Sequence, residues 1–94
     1  MTLLIDIGNT ALKWALAEPG GAPLTVRVQP HHGEAAWPQQ LAQAWASLPR
    51  GTRAVGCTVA GAALRDRVQQ IAADSGLQLQ WLAAAVRHHG DFVL

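Results

Sequence analysis

The stretch Thr2-Leu3-Leu4-Ile5-Asp6-Ile7-Gly8-Asn9-Thr10-Ala11-Leu12-Lys13-Trp14-Ala15-Leu16-Ala17-Glu18 decides the fold of this 94-residue chain. Thr2 to Gly8 is a short aliphatic and β-branched run interrupted by one carboxylate, the pattern of a buried strand. Asn9-Thr10 supplies turn residues. From Ala11 the side chains alternate, with Leu12, Trp14 and Leu16 set against Ala11, Lys13 and Ala15. That period of two is a strand signal, so residues 3–18 read as a β-hairpin.

Downstream, Glu18-Pro19-Gly20-Gly21 marks a second turn. The alternation Leu24-Thr25-Val26-Arg27-Val28 predicts a third strand, ended by Pro30-His31-His32-Gly33. From Glu34 the period changes: Trp37, Leu41, Ala44 and Leu48 recur at three- and four-residue steps, a helical stripe stopped by Pro49-Arg50-Gly51. Arg53-Ala54-Val55-Gly56-Cys57-Thr58 is a fourth strand. A second helix carries Leu64, Val68, Ile71 and Ser75 on one face and closes at Ser75-Gly76. Leu77 to Leu82 is the last strand. The order βββαβαβ predicts an α/β fold, a mixed sheet with helices on its faces.

Composition narrows the function classes. The length fits one domain with a modest core. Only 14% of residues are charged, below the roughly 25% usual for soluble domains. That low charge, with abundant alanine, predicts apolar surface that pairs with a second copy or aggregates. A net charge of +1 with scattered cations offers no basic face for nucleic acid. Lys13 is the only lysine among the 7 basic residues. No apolar stretch approaches the ~20 residues that span a bilayer, and no signal-like segment opens the chain. Cys57 is the single cysteine, which excludes an internal disulfide and fits a reducing cytoplasm.

The first bend carries the chemistry. Gly8 permits a positive φ and lets a phosphate approach without meeting a Cβ. The amides that follow can form a small anion nest, and Asn9 and Thr10 add an amide and a hydroxyl. Lys13 places a flexible cation within reach of the same anion. Asp6, a carboxylate in an apolar strand, is costly to bury alone. A Mg²⁺ ion on nucleotide phosphates, held through water, would give it a purpose. The plainer reading stands beside this one: a hairpin turn with no ligand, in which Asp6 caps the turn. The Gly-x4-Gly-Lys-Ser/Thr spacing of a Walker loop is absent.

Leu4-Ile5-Asp6-Ile7-Gly8-Asn9-Thr10 with Lys13 resembles the first phosphate motif of the type III pantothenate kinases. These are relatives of the Bvg accessory factors, in the superfamily of acetate kinases, sugar kinases, heat-shock chaperones and actin. Cys57-Thr58-Val59-Ala60-Gly61 resembles that family's second short motif, and Trp81-Leu82 falls where its fifth strand would end. The resemblance spans residues 1–82 and implies a ribonuclease H-like, actin-like ATPase half-domain, followed by a divergent or truncated tail at 83–94. It implies ATP-dependent phosphorylation of pantothenate, the first step to coenzyme A, in a homodimer that uses Mg²⁺ and a monovalent cation, K⁺ or NH₄⁺.

By the same resemblance Asp6 would help hold metal and phosphates, Gly8, Asn9 and Thr10 would wrap the phosphates, and Lys13 would neutralise them. Ile7, Ala11 and Leu12 would contribute backbone or packing. The family's Gly-x-Asp-Arg segment, which supplies its general base, does not occur here. His89-Gly90-Asp91-Phe92 does not replace it. The chain resembles an N-terminal half, no catalytic base is assigned, and the piece is expected to be inactive alone. Two other readings stay open: a non-catalytic accessory relative of the same fold, and a kinase or phosphatase of the superfamily with another substrate.

The remaining residues read as structural. His31-His32 and His88-His89 are adjacent pairs whose side chains would diverge, so they are expected as surface loop histidines. Trp14, Trp37, Trp45 and Trp81 are expected in the core, Cys57 as an inert core thiol, and Arg65-Asp66-Arg67 as a solvated helix face.

Overall fold

The computed structural model describes residues 1–21 and 25–82. Leu24 of the predicted third strand, the tail at 83–94 and the His88-His89 pair lie outside these residues. The chain forms β1 (Thr2–Ile7), β2 (Ala11–Ala17), β3 (Arg27–Pro30), α1 (Trp37–Trp45), β4 (Arg53–Thr58), α2 (Ala62–Asp74) and β5 (Gln78–Trp81). This is the predicted order, in one five-stranded sheet arranged β3-β2-β1-β4-β5.

The apolar run of β1 is central because it pairs on both edges, antiparallel with β2 and parallel with β4. Five consecutive residues, Leu3 to Ile7, are buried there. The hairpin register sets Ile5 opposite Trp14, Asp6 opposite Lys13 and Ile7 opposite Leu12. Side chains alternate across a strand. Leu3, Ile5 and Ile7 therefore share one face with Leu12 and Trp14, while Leu4 and Asp6 share the other with Lys13 and Ala15.

Both helices cover the first of these faces. Leu41 and Trp45 of α1 and Val68, Ile71 and Ala72 of α2 join Leu3, Ile5, Ile7, Leu12 and Trp14 in a single core. The expectation of helices on the faces of the sheet thus resolves to one face among the described residues. The reason is topological. Since β3 and β1 both run antiparallel to β2, the connections β3-α1-β4 and β4-α2-β5 join parallel strands and advance across the sheet in the same direction. Crossovers of one hand moving one way deposit both helices on one side.

The structure departs from the sequence reading in the position of β3 and in the inward face of α1. β3 lies at Arg27–Pro30, pairing Arg27 with Trp14 and Pro30 with Ala11. Pro30 is accommodated because β3 is an edge strand and the proline is its last residue. In α1 the inward residues are Leu41 and Trp45, whereas Ala44 of the predicted stripe is exposed. Helix α2 ends as predicted: the Ser75 amide donates to the Ile71 and Ala72 carbonyls, and Gly76 takes φ +78°.

Gly56 sits in β4 on the helix-covered face, where a Cβ would lie 2.8 Å from the Trp81 ring. That ring has little freedom to retreat. Its Nε1 donates to Gln69 Oε1 at 3.0 Å and the Arg65 guanidinium lies 5.1 Å from its centroid. Gly56→Ala is therefore expected to cost about 1–3 kcal/mol by overpacking, read from a shift in the urea midpoint at unchanged slope. An unshifted midpoint would show that Trp81 moves aside freely.

Candidate functional site

Ligands of open α/β sheets bind outside the carboxyl ends of the parallel strands. Here that end gathers three segments: the Gly8-Asn9-Thr10 turn after β1, the 31–36 connection after β3, and Thr58-Val59-Ala60-Gly61 between β4 and α2. The Val59 amide donates to the Ile7 carbonyl at 3.2 Å, tying the second motif to the first.

The turn is tight. Gly8 N–H donates to the Ala11 carbonyl at 2.9 Å, leaving Asn9 and Thr10 as the two tip residues, both exposed. Gly8 was expected to supply a positive φ; it is absent from the glycines with positive φ, which are Gly20, Gly21, Gly33, Gly51 and Gly76. Its need is steric instead. A Cβ at Gly8 would stand 3.1 Å from the Ala11 carbonyl oxygen, tighter than an ordinary contact.

The loop's carbonyls and amides face different company. The Thr10 carbonyl accepts from the amides of His31 and His32, each at 3.0 Å, and the Gly8 carbonyl lies 2.8 Å from His31 Nε2. Among the described residues, no backbone carbonyl accepts from the Asn9 or Thr10 amide. The Gly8 carbonyl is thus turned toward His31, so the Asn9 N–H of the same trans peptide points the other way at an exposed tip residue, a donor that suits an anion.

The remaining expected site residues divide between the two faces. Ile7 and Leu12 are fully buried in the core, as packing residues. Asp6 and Lys13 are cross-strand neighbours on the face opposite the two helices, with Asp6 only 4% exposed and Lys13 exposed. Cys57 stands beside Asp6 on the parallel neighbour. It is half-buried rather than an inert core thiol, and its Sγ lies 4.0 Å from Asp6 Oδ1 and 3.9 Å from the Ile5 carbonyl. The register explains the correction: Cys57 shares the face of Asp6, not that of Ile5.

In the second motif, Thr58 Oγ1 accepts from the Ala60 amide at 2.9 Å, and α2 starts after Gly61 without a side-chain cap. Its first amides thus lack the usual capping partner and add a positive dipole end to the same edge of the sheet. Among the described residues no group of three or more His, Cys, Asp or Glu side chains could hold a metal ion. No helix there is long and apolar enough to cross a membrane.

His31 is the residue that sequence reasoning missed. It was expected as a surface histidine, yet it is half-buried, with its ring 6.0 Å from that of Trp37 at 61°. Its position directly after an edge strand that pairs with β2 was the available signal. A residue there is carried to the hairpin tip.

Comparison with known proteins follows the same residues. The family model of type III pantothenate kinase matches residues 2–90. A type III pantothenate kinase of Paracidovorax citrulli is 42% identical over 85 residues, covering 84% of this chain and 28% of the relative. One from Azoarcus is 33% identical over 90 residues, covering 96% and 33%, and one from Leptothrix cholodnii is 46% identical over 74 residues, covering 72% and 26%. The chain thus spans about a third or less of the length of these relatives. With a match across nearly its whole length, the chain belongs to the type III pantothenate kinase family.

Proposed function

We propose that the Asp6–Lys13 hairpin grips the phosphates of ATP for the phosphorylation of pantothenate, the activity named for the relatives. The single observation carrying this reading is the exposed Asn9-Thr10 tip, whose amides no backbone carbonyl takes among the described residues. The strand order β3-β2-β1-β4-β5 supports the finer assignment as a ribonuclease H-like half-domain spanning 1–82.

Each group has a distinct task. The tip amides hold phosphate oxygens, and Gly8 keeps the approach free of a side chain. Lys13 offsets charge from the solvent side. Asp6 offers one buried carboxylate, and one or two carboxylates with water and phosphates suit Mg²⁺. The residues therefore fit a nucleotide-bound Mg²⁺, which would supply charge neutralisation to the phosphates. A monovalent cation, K⁺ or NH₄⁺, belongs to the same reading with no side chain assigned to it. Phosphoryl transfer needs positioning and electrostatics above all, and these residues serve the nucleotide side. No residue of the chain is assigned as the base on pantothenate, so the grip is expected without turnover. A homodimer in the cytoplasm completes the proposal.

Titrating the ¹⁵N-labelled chain with Mg·ATP is expected to move the Asn9 and Thr10 amide resonances first. Absence of any shift at both would defeat the assignment. Lys13→Ala is expected to weaken Mg·ATP about two- to fivefold at low salt, the range for an exposed ion pair. The loss should shrink as ionic strength rises, because an exposed charge is screened.

A further inference from the structure

We infer that His31 is a positioning residue for the phosphate loop: its ring fastens the Gly8 carbonyl and so, through the trans Gly8–Asn9 peptide, holds the Asn9 amide pointing away from it, toward an anion. The inference rests on the phosphate reading of the loop and adds a residue to it from outside the motif, 23 positions along the chain.

The bond is specified by chemistry. The Gly8 carbonyl only accepts, so the ring nitrogen 2.8 Å from it must donate. His31 therefore carries its proton on Nε2. Two further bonds run the same way, from the His31 and His32 amides to the Thr10 carbonyl. Together these three donors hold the Gly8 and Thr10 carbonyls, in the peptides before and after the Asn9–Thr10 link. Flipping the Gly8–Asn9 or the Thr10–Ala11 peptide would break at least one of them. A peptide flip is the motion that would exchange an outward amide for an outward carbonyl and turn an anion site into an anion-repelling one.

The ring is itself held. It is half-buried and packs edge-on to Trp37 at the start of α1. The connection is further fixed by the Gln29 side chain, whose Nε2 donates to Gln40 Oε1 at 2.7 Å. The clamp therefore couples the loop to the β3–α1 connection and not only to its own hairpin.

The test uses the whole chain, with Mg·ATP as probe. In the free protein, ring ¹⁵N shifts should place the His31 proton on Nε2, and the Gly8 and His32 amides should exchange slowly. His31→Phe keeps a ring against Trp37 but removes the donor. It is expected to speed that exchange and weaken Mg·ATP about three- to tenfold, the worth of one hydrogen bond. His31→Gln restores a donor and is expected to bind within about twofold of the parent. The clamp is overturned by a proton found on Nδ1 alone, by a folded phenylalanine variant that binds as the parent does, or by a glutamine variant as weak as phenylalanine. If the parent chain gives no Mg·ATP shifts at all, the phosphate reading fails, and ring tautomer and amide exchange still decide the clamp. A phenylalanine variant that does not fold leaves the glutamine variant and the tautomer to decide it.

Discussion

Asp6→Asn is expected to lower the affinity for Mg·ATP by roughly 10- to 100-fold, the range seen when a group that orients a metal through its outer shell is lost, while the circular dichroism spectrum is unchanged. The substitution keeps the size of the side chain and removes one negative charge. Asp6 is only 4% exposed, so its interaction with a cation is screened less than that of exposed Lys13. The two variants should therefore differ in salt dependence as well as size: the Lys13→Ala loss fades between 50 and 300 mM salt, on the scale of a Debye length of about 8 Å, whereas the Asp6→Asn loss persists. Isothermal titration at both salts measures this. A folded Asp6→Asn chain with unchanged affinity would return Asp6 to the plainer role of a residue that stabilises its turn.

Trp45→Ala is expected to cost about 3–5 kcal/mol, as truncating a fully buried aromatic does. Trp45 is entirely excluded from solvent and meets Trp14 edge-to-face at 6.4 Å and 82°, an arrangement worth about 0.5–1.5 kcal/mol beyond burial. It also spans the layers, joining α1 to the hairpin strand that carries Lys13. A chain of this length holds only about 5–14 kcal/mol in total. The melting temperature should then fall by about 4–8 °C for each kcal/mol lost, leaving little folded protein at 37 °C. Trp45 Nε1 is buried with no hydrogen-bond partner among the described residues. Trp45→Phe removes that orphaned donor along with some volume, and the two effects oppose each other. Its cost should be well under half that of alanine. Equal costs for the two variants would mean that the indole N–H is satisfied in a way the contacts do not reveal.

Much of the fold was legible because local signals and global topology agree in this chain. The alternation of Leu12, Trp14 and Leu16 named the core face of β2, and the change of period after Glu34 named the helices. The limits of β4 were read as Arg53–Thr58 and observed so. Where the reading slipped, a longer-range choice overrode a local one. β3 moved from Leu24–Val28 to Arg27–Pro30 because pairing with Ala11–Trp14, and not the side-chain alternation of the segment itself, sets its register. Ala44, read onto the inward stripe, is exposed, because its neighbour Trp45, also expected in the core, buries far more apolar area.

At the candidate site the division is sharper. The residue types Asp6, Gly8, Asn9, Thr10 and Lys13 sit within eight positions, so a hairpin alone brings them together, and both the motif and the family could be read from the sequence. Three things needed the tertiary structure. Gly8 is required by the Ala11 carbonyl 3.1 Å from where a Cβ would be, and not by a positive φ. Cys57 joins Asp6 only through a parallel pairing of strands about fifty residues apart. His31 reaches the Gly8 carbonyl only because β3 ends beside the hairpin tip. A sequence specifies what lies within a turn or a period, since those contacts follow from bond geometry. Which distant residue closes on the turn depends on strand order and register, which the whole sheet settles at once.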